Sequence, residues 1–412
     1  QIPFFENFNN SIGVPLPTNP VECMMALMGA TFLLNLVVTR RFTFQRHPFQ
    51  LPVLVFAAML LAFVAKGIGT GGVANIAIWE VRALFYMVLA YFIGSQLVRE
   101  HSDVVRNTWC IFLPLAIKGF QGVWRYIVDL KGSMGDVPAI TSHECAIFIL
   151  TSFVLTVALM LFDGERRMVK FTLWTLPTTM ITFIFSLRRV AWGCLVFGLI
   201  MLFFYLPKQK KMIFVKILLP MIPIMALYFA AFWNKTTGPG MLVQQVRSIF
   251  GEDATGAEDS SNSYRDDEKV NLIYTIKQFP LGRGFGQKYL IVVHLDEVDF
   301  PLWDYIPHNC ILWLWVKTGF IGMVTFLSCI GLIIIQCTLD FRSSTRPLYK
   351  ALLVVMIVFW VVQVLVAYYD LQLTFYRNMV YIGAYMATLV PVHYEARRNA
   401  ELMERGEPLP CP

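Results

Sequence analysis

The sequence predicts an all-α integral membrane protein, on three observations. Of its 412 residues 57% are hydrophobic and only 15% charged, against about 25% charged in a soluble domain. About eleven apolar stretches are long enough to span a bilayer, which takes roughly 20 residues as helix. Basic residues recur in every second connection between them. The same composition excludes disordered, collagen-like and disulfide-scaffold chains. The net charge of +7 therefore bears on membrane sidedness rather than on nucleic acid, and no nucleic-acid partner is expected.

The predicted spans lie near 21–38, 49–66, 77–98, 107–128, 145–162, 169–187, 190–206, 212–232, 308–337, 350–368 and 373–392. Arg40, Arg41 and Arg46 follow the first. Arg99 and Arg106 follow the third, Arg166, Arg167 and Lys170 the fifth, and Lys208, Lys210 and Lys211 the seventh. Arg342, Arg346 and Lys350 follow the ninth, and Arg397 and Arg398 the last. The positive-inside rule makes these connections cytoplasmic. The tail 1–20, without Lys or Arg, and the long connection 233–307 then lie outside. An odd span count with an external start predicts a further N-terminal segment, giving 11–12 helices in all. The predicted organisation is 1–232 N-terminal membrane helices, 233–307 external loop domain, 308–394 C-terminal membrane helices and 395–412 cytoplasmic tail. The 8 Cys show no CxxC pair or metal-type spacing and lie mostly in apolar runs, where Cys acts as a small hydrophobe.

One external connection breaks the charge pattern. Ser186-Leu187-Arg188-Arg189-Val190 is a tight turn with two Arg. Snorkelling to lipid headgroups is one account of it; guanidinium groups presented to an anionic ligand are the other. Arg82, Arg125 and Arg377 fall at similar depth near the outer ends of their spans, and ionisable groups at membrane depth are functional candidates. The carboxylates near them are few: Glu80, Glu144 and Asp370. Surplus guanidinium charge suits a phosphate or diphosphate, which the planar fork binds through two parallel hydrogen bonds.

Within the external loop, 264–279 has an apolar face of Leu272, Ile273, Ile276 and Phe279 and predicts an amphipathic helix. Ser263 and Asp266 have capping-box spacing, which would put Arg265 in the first turn, where free N–H groups favour phosphate. The acidic, Ser- and Gly-containing stretch 251–263 reads as loop. Pro280-Leu281-Gly282-Arg283-Gly284-Phe285-Gly286 is a Gly-rich turn without the context of a nucleotide-binding loop. Of six His, only His143, His294 and His308 are external. His308, with Asn309, stands at the mouth of the ninth span, where the helix dipole favours a neutral imidazole able to accept a proton.

These residues together resemble the bacterial O-antigen ligases (WaaL type). The run His308-Asn309, nine residues, Gly319, two residues, Gly322 is similar to that family's His-Asn/Ser/Gln, nine residues, Gly-x-x-Gly pattern. Ser186–Trp192 resembles its Arg-containing segment, with Arg189 aligned to the Arg. Arg265 followed by Pro280–Gly284 resembles its Arg…PllGvG segment. Arg188 and Arg283 depart from the pattern. The resemblance implies a GT-C-like glycosyltransferase of a bacterial inner membrane with its active site facing the periplasm. The implied donor is a glycan on undecaprenyl diphosphate and the implied acceptor lipid A-core, with inversion and without metal or other cofactor.

The chemistry of the residues agrees. Arg189 and Arg265, with Arg188 helping, can stabilise a leaving diphosphate, and His308 can serve the acceptor hydroxyl. Asn309, Arg82, Arg125, Arg377 and Arg283 complete the substrate-binding candidates. No glycosidase-type carboxylate pair is evident. No metal-ligand cluster is expected, with the run Asp296-Glu297-Val298-Asp299 left open. A polymerase using the same donor is the nearest alternative. A transporter of anionic lipid, kept open by the deeper Lys118 and Lys317 although the charges gather on one face, and a non-catalytic assembly subunit stand further off.

Overall fold

The computed structural model describes residues 20–39, 45–134, 139–235, 240–249, 256–296 and 302–409. Arg40, Arg41, residues 251–255 of the acidic stretch, Glu297–Asp299 and Cys411 lie outside them. Among the described residues there is helix and no strand. The helices are α1 (Pro20–Thr39), α2 (Gln50–Gly69), α3 (Ala74–Leu97), α4 (His101–Trp124), α5 (His143–Leu161), α6 (Arg166–Ile184), α7 (Arg189–Tyr205), α8 (Lys208–Leu218), α9 (Met221–Phe232), α10 (Met241–Ile249), α11 (Gly256–Gln278), α12 (Cys310–Ser343), α13 (Pro347–Ala367), α14 (Tyr376–Thr388) and α15 (Val390–Glu404).

Each expected span is helical. Five stretches are long and apolar enough to cross a bilayer: α2, α3, the α8–α9 pair, α12 and α13. The chain is an all-α, multi-pass membrane protein. Helix α13 is its axis, with nearly every side chain from Leu348 to Val358 buried against α5, α7 and α12. The α8–α9 pair is the opposite case: Met221, Ile222, Ile224 and Leu227 all face outward, as lipid-facing residues do. The seven described Cys are free thiols.

Small residues let helices approach where the site is built. Thr172, Thr175, Thr179 and Thr182 form one buried stripe of α6, pressed on Gly119 and Gly122 of α4. A Cβ at Gly122 would sit 2.3 Å from Thr182 Oγ1, and that hydroxyl donates to Gly119 O at 2.9 Å. This packing fixes the end of α6 and the turn that follows. On the other side of the bundle, a Cβ at Gly383 of α14 would lie 2.3 Å from Met87 O, so α14 runs against the backbone of α3.

Helix α12 has 34 residues but is not one straight rod. At about 1.5 Å per residue it would extend about 51 Å, well beyond a hydrocarbon core of about 30 Å. It breaks at Gly319, with φ 64° and ψ −169°. The break exposes backbone carbonyls to the Gly-rich turn 280–286. Arg283 N donates to Val316 O and Gly284 N to Lys317 O, both at 2.9 Å, and Phe320 N donates back to Pro280 O at 3.0 Å.

Beneath this junction lies a buried ion pair. Lys317 Nζ is 2.7 Å from Glu80 Oε1, both side chains 0% exposed. Further partners surround the pair. Gly286 N donates to Glu80 Oε2 at 2.5 Å, Trp313 Nε1 to Oε1 at 3.2 Å, and Lys317 Nζ also bonds Gln287 O. The pair thus joins α3, α12 and the Gly-rich turn. Glu80 is therefore not a partner for the outer guanidinium groups, and Lys317 does not line a path through the membrane. Lys118, the other deep cation, donates to Gln121 Oε1 at 3.0 Å.

Losing one member of a buried pair leaves an uncompensated charge, costing about 3–5 kcal/mol. Lys317→Met is expected to lower the unfolding midpoint of the detergent-solubilised protein sharply, and Glu80→Leu/Lys317→Met to recover part of the loss. Thermal unfolding of Glu80→Leu, Lys317→Met and the double variant beside wild type checks this; additive losses would count against the pair.

Candidate functional site

Helix α11 supplies the floor of the site. Glu268, Asn271, Leu272 and Thr275 recur at helical spacing as its buried face. Asn271 Oδ1 accepts from Val292 N and Val293 N at 2.8 Å, and Thr275 Oγ1 accepts from Leu290 N at 2.9 Å. Asp304 accepts from Lys288 Nζ at 2.5 Å, and this bond raises the ammonium pKa. Leu272, Tyr289, Leu295 and Val316 close a small apolar core between α11 and the outer part of α12. The loop segment is thereby fixed on the membrane bundle.

The same face of α11, continued toward its start, carries Tyr264, Arg265 and Glu268. Glu268 is 2% exposed and holds His308 twice. Its Oε2 accepts His308 N at 2.9 Å, and its Oε1 is 3.2 Å from His308 Nδ1. A carboxylate on Nδ1 selects the tautomer in which Nε2 is the acceptor. The Tyr264 ring meets the imidazole edge-on at 5.7 Å between centroids. Burial, with Glu268 and Asp296 adding, pushes the Tyr264 hydroxyl up to about 12, so it stays a neutral donor. Asn309 caps α12, its Oδ1 accepting from Leu312 N at 2.9 Å. That bond fixes the chain direction at His308.

The arginine turn closes the other side. Leu187 adopts φ 53°, a left-handed conformation that costs a non-glycine residue about 1 kcal/mol or more and aims Arg188 inward. Burial lowers the pKa of Arg188, Asp370 opposes that shift and Arg265 adds to it, though an Arg stays charged. Asp370 belongs to the 368–375 loop, whose Leu373 and Thr374 N–H groups reach Cys310, the residue after Asn309. Arg189 is the first residue of α7, next to Arg188. Arg188, Arg265, Asp370, Glu268 and His308 thus converge from four parts of the chain. Arg265 Nε and Tyr264 OH are buried atoms of this cluster with no hydrogen-bond partner among the described residues. Arg188 and Arg265 share their surroundings with Asp370, while Glu268 is engaged by His308; two guanidinium groups so placed suit an anion.

Several expectations need correction. Helix α11 begins at Gly256, so Ser263 is not an N-cap, 256–263 is not loop, and Arg265 is not in the first turn. Arg265 therefore has no free helix N–H groups beside it. Arg82 stacks on Trp79, 3.4 Å from the ring centroid, and lies 4.0 Å from Glu22 of α1. Arg125 donates to Ile140 O at 2.9 Å, bracing the connection after a π-turn at Arg125–Asp129. Both have structural partners away from His308. Arg377 stands in the first turn of α14 with its guanidinium 5.5 Å from the Tyr376 ring. Arg283 donates to Lys288 O at 2.7 Å, on the far side of the Gly-rich turn. Glu268 is the functional candidate missed in the sequence. Its signal was the i, i+3 spacing to Arg265 on a predicted amphipathic helix. Among the described residues, no three His, Cys, Asp or Glu gather as a metal site.

A family model described as O-antigen ligase matches residues 171–327, which takes in the arginine turn, α11, the Gly-rich turn and His308 through Gly322. No curated protein matches the chain.

The two glycines after His308 now have physical reasons. A Cβ at Gly319 would lie 2.4 Å from Leu281 C, and one at Gly322 2.1 Å from Thr318 Cβ. Gly319→Ala adds a left-handed penalty of about 1–2 kcal/mol to that clash. It is expected to lower the unfolding midpoint, while Phe320→Ala, at an exposed neighbour, leaves it near wild type. Equal midpoints for the two variants in thermal unfolding would contradict the assignment.

Proposed function

Because residues 171–327 belong to the O-antigen ligase/polymerase family, we propose that this chain is a ligase of that family. In this reading it transfers O-antigen glycan from undecaprenyl diphosphate to a hydroxyl of lipid A-core, at the periplasmic face of a bacterial inner membrane. Residues 233–307 are the periplasmic domain between membrane regions 1–232 and 308–394, and 395–412 is cytoplasmic. The observation that carries the reading is the Glu268–His308 pair beside the half-buried Arg188 and Arg265.

Glu268 accepts from His308 Nδ1–H and holds the ring, leaving the Nε2 lone pair for the acceptor hydroxyl. The hydroxyl oxygen attacks the anomeric carbon and its proton passes to Nε2. The bond from that carbon to the diphosphate oxygen breaks, and the configuration inverts. The charge that develops on the diphosphate is taken up by Arg265 and Arg189, with Arg188 alongside. Asp370 keeps Arg188 aimed, and Asn309 fixes His308 through the cap. The chemistry calls for no metal or cofactor.

The test is transfer by purified protein from undecaprenyl-diphosphate glycan to lipid A-core, with chelator present. His308→Ala is expected to reduce kcat by about 10²–10⁴-fold, the range of a lost general base. Glu268→Gln is expected to reduce it by less. Arg265→Ala is expected to weaken donor use, seen as slower transfer at subsaturating donor. Undiminished transfer by folded His308→Ala would overturn the assignment. Growth of the lipid-linked glycan in place of transfer to lipid A-core would make the chain a polymerase.

A further inference from the structure

A second cationic site lies across the Gly-rich turn from His308. The end of α2 and residues 278–287 enclose an open cavity of about 360 Å³, lined by Lys66, Thr70, Phe279, Leu281, Arg283 and Gln287 among others. That is within the range of small-ligand sites. No acidic residue lines it. It is held by the junction described above. A Cβ at Gly67 would fall 1.9 Å from Phe285 O, and Gln287 Nε2 donates to Thr70 O at 3.0 Å.

Both cations are fixed with donors to spare. Lys66 Nζ gives one hydrogen bond, to Leu281 O at 2.8 Å, and lies 5.6 Å from the Phe63 ring centroid. Arg283 Nη1 bonds Lys288 O, and its guanidinium stands 4.7 Å from the Phe279 ring. An ammonium has three donors and a guanidinium five, so most remain for a ligand. Among the described residues neither cation has a carboxylate in its cavity. The surroundings are apolar: Leu281 is 61% and the adjoining Phe320 62% exposed, and Ile68 points outward on α2. Lys66 stands in the last turn of a helix apolar enough to cross the bilayer, so the cavity sits at the level where headgroup meets hydrocarbon.

We propose that this cavity binds the phosphate headgroup of an anionic membrane lipid, with Lys66 and Arg283 on the phosphate and an acyl chain lying over Leu281 and Phe320. A free anion would satisfy the two cations but leave the apolar rim in water; a lipid covers both. The site is separate from the Arg188–Arg265 pocket and does not depend on the reaction proposed there. Its occupant would buttress the turn that registers α12, and with it His308.

The test uses the full chain, delipidated in detergent, and native mass spectrometry with phosphatidylglycerol or phosphatidylcholine. Wild type is expected to retain phosphatidylglycerol about tenfold or more over phosphatidylcholine, consistent with the attraction of two cations to an anionic lipid. Lys66→Gln/Arg283→Gln is expected to bind one phosphatidylglycerol fewer, and Lys66→Arg to keep it. Thermal unfolding monitors folding. If the double variant does not fold, Lys66→Gln alone, which gives up one bond to Leu281 O, carries the comparison with at least a several-fold loss. Equal retention of the two lipids by wild type, or unchanged retention by the folded variant, overturns the proposal. So does displacement of phosphatidylglycerol by millimolar inorganic phosphate or pyrophosphate, which would make the cavity a free-anion site.

Discussion

The Glu80–Lys317 pair is the constraint from which the geometry of the site follows. Two opposite charges in a dry interior hold each other in one arrangement only, because moving either exposes both to an environment that cannot solvate them. Here the arrangement includes the backbone on each side: Glu80 takes the N–H of Gly286, and the carbonyl of Lys317 takes the N–H of Gly284. The Gly-rich turn is thus bound to the broken helix by its main chain and to α3 by a side chain. Helix α11 leads directly into that turn, so the position of Glu268 relative to His308 is set from below.

Charge is handled differently at the two depths. Inside the bundle, Glu80 and Lys317 cancel, with the Gly286 N–H, the Trp313 indole and the Gln287 carbonyl bonded to them. At the Arg188 turn, Arg188 and Arg265 share their surroundings with Asp370, next to the left-handed Leu187. Stored strain and unbalanced charge in one place are what a site built for an anionic transition state requires. The neutral Tyr264 hydroxyl and the oriented imidazole sit on its edge.

Local patterns made much of this legible. Long apolar runs gave the helices, and the spacing from His308 to Gly319 and Gly322 marked the junction whose tight backbone approach excludes any side chain. The Ser186–Val190 turn stood out because two Arg in an external turn break the alternation of charge. What the sequence concealed depended on partners far along the chain. Glu80 looked like a candidate for the outer guanidinium groups because nothing local ties it to Lys317. Arg82 and Arg125 looked functional by depth alone, and their companions, Trp79 with Glu22 and the Ile140 carbonyl, come from packing. The capping signal at Ser263 was real as a pattern but lost to a helix that had already begun at Gly256. Glu268 passed unnoticed because an acidic residue on an amphipathic helix is ordinarily solvated; only the fold buries it against His308.

The separation of the two charged partners along the chain also sets an order of assembly. Glu80 is made early, and the segment that neutralises it emerges more than 230 residues later. At about 5–20 residues per second of synthesis, the carboxylate waits on the order of 10–50 s in a half-built bundle. During that interval α3 lacks both its counter-ion and, in α14, its most extensive packing partner. The counter-ion arrives with α12, so the step that neutralises Glu80 is also the step that delivers His308; the packing partner α14 follows only afterwards.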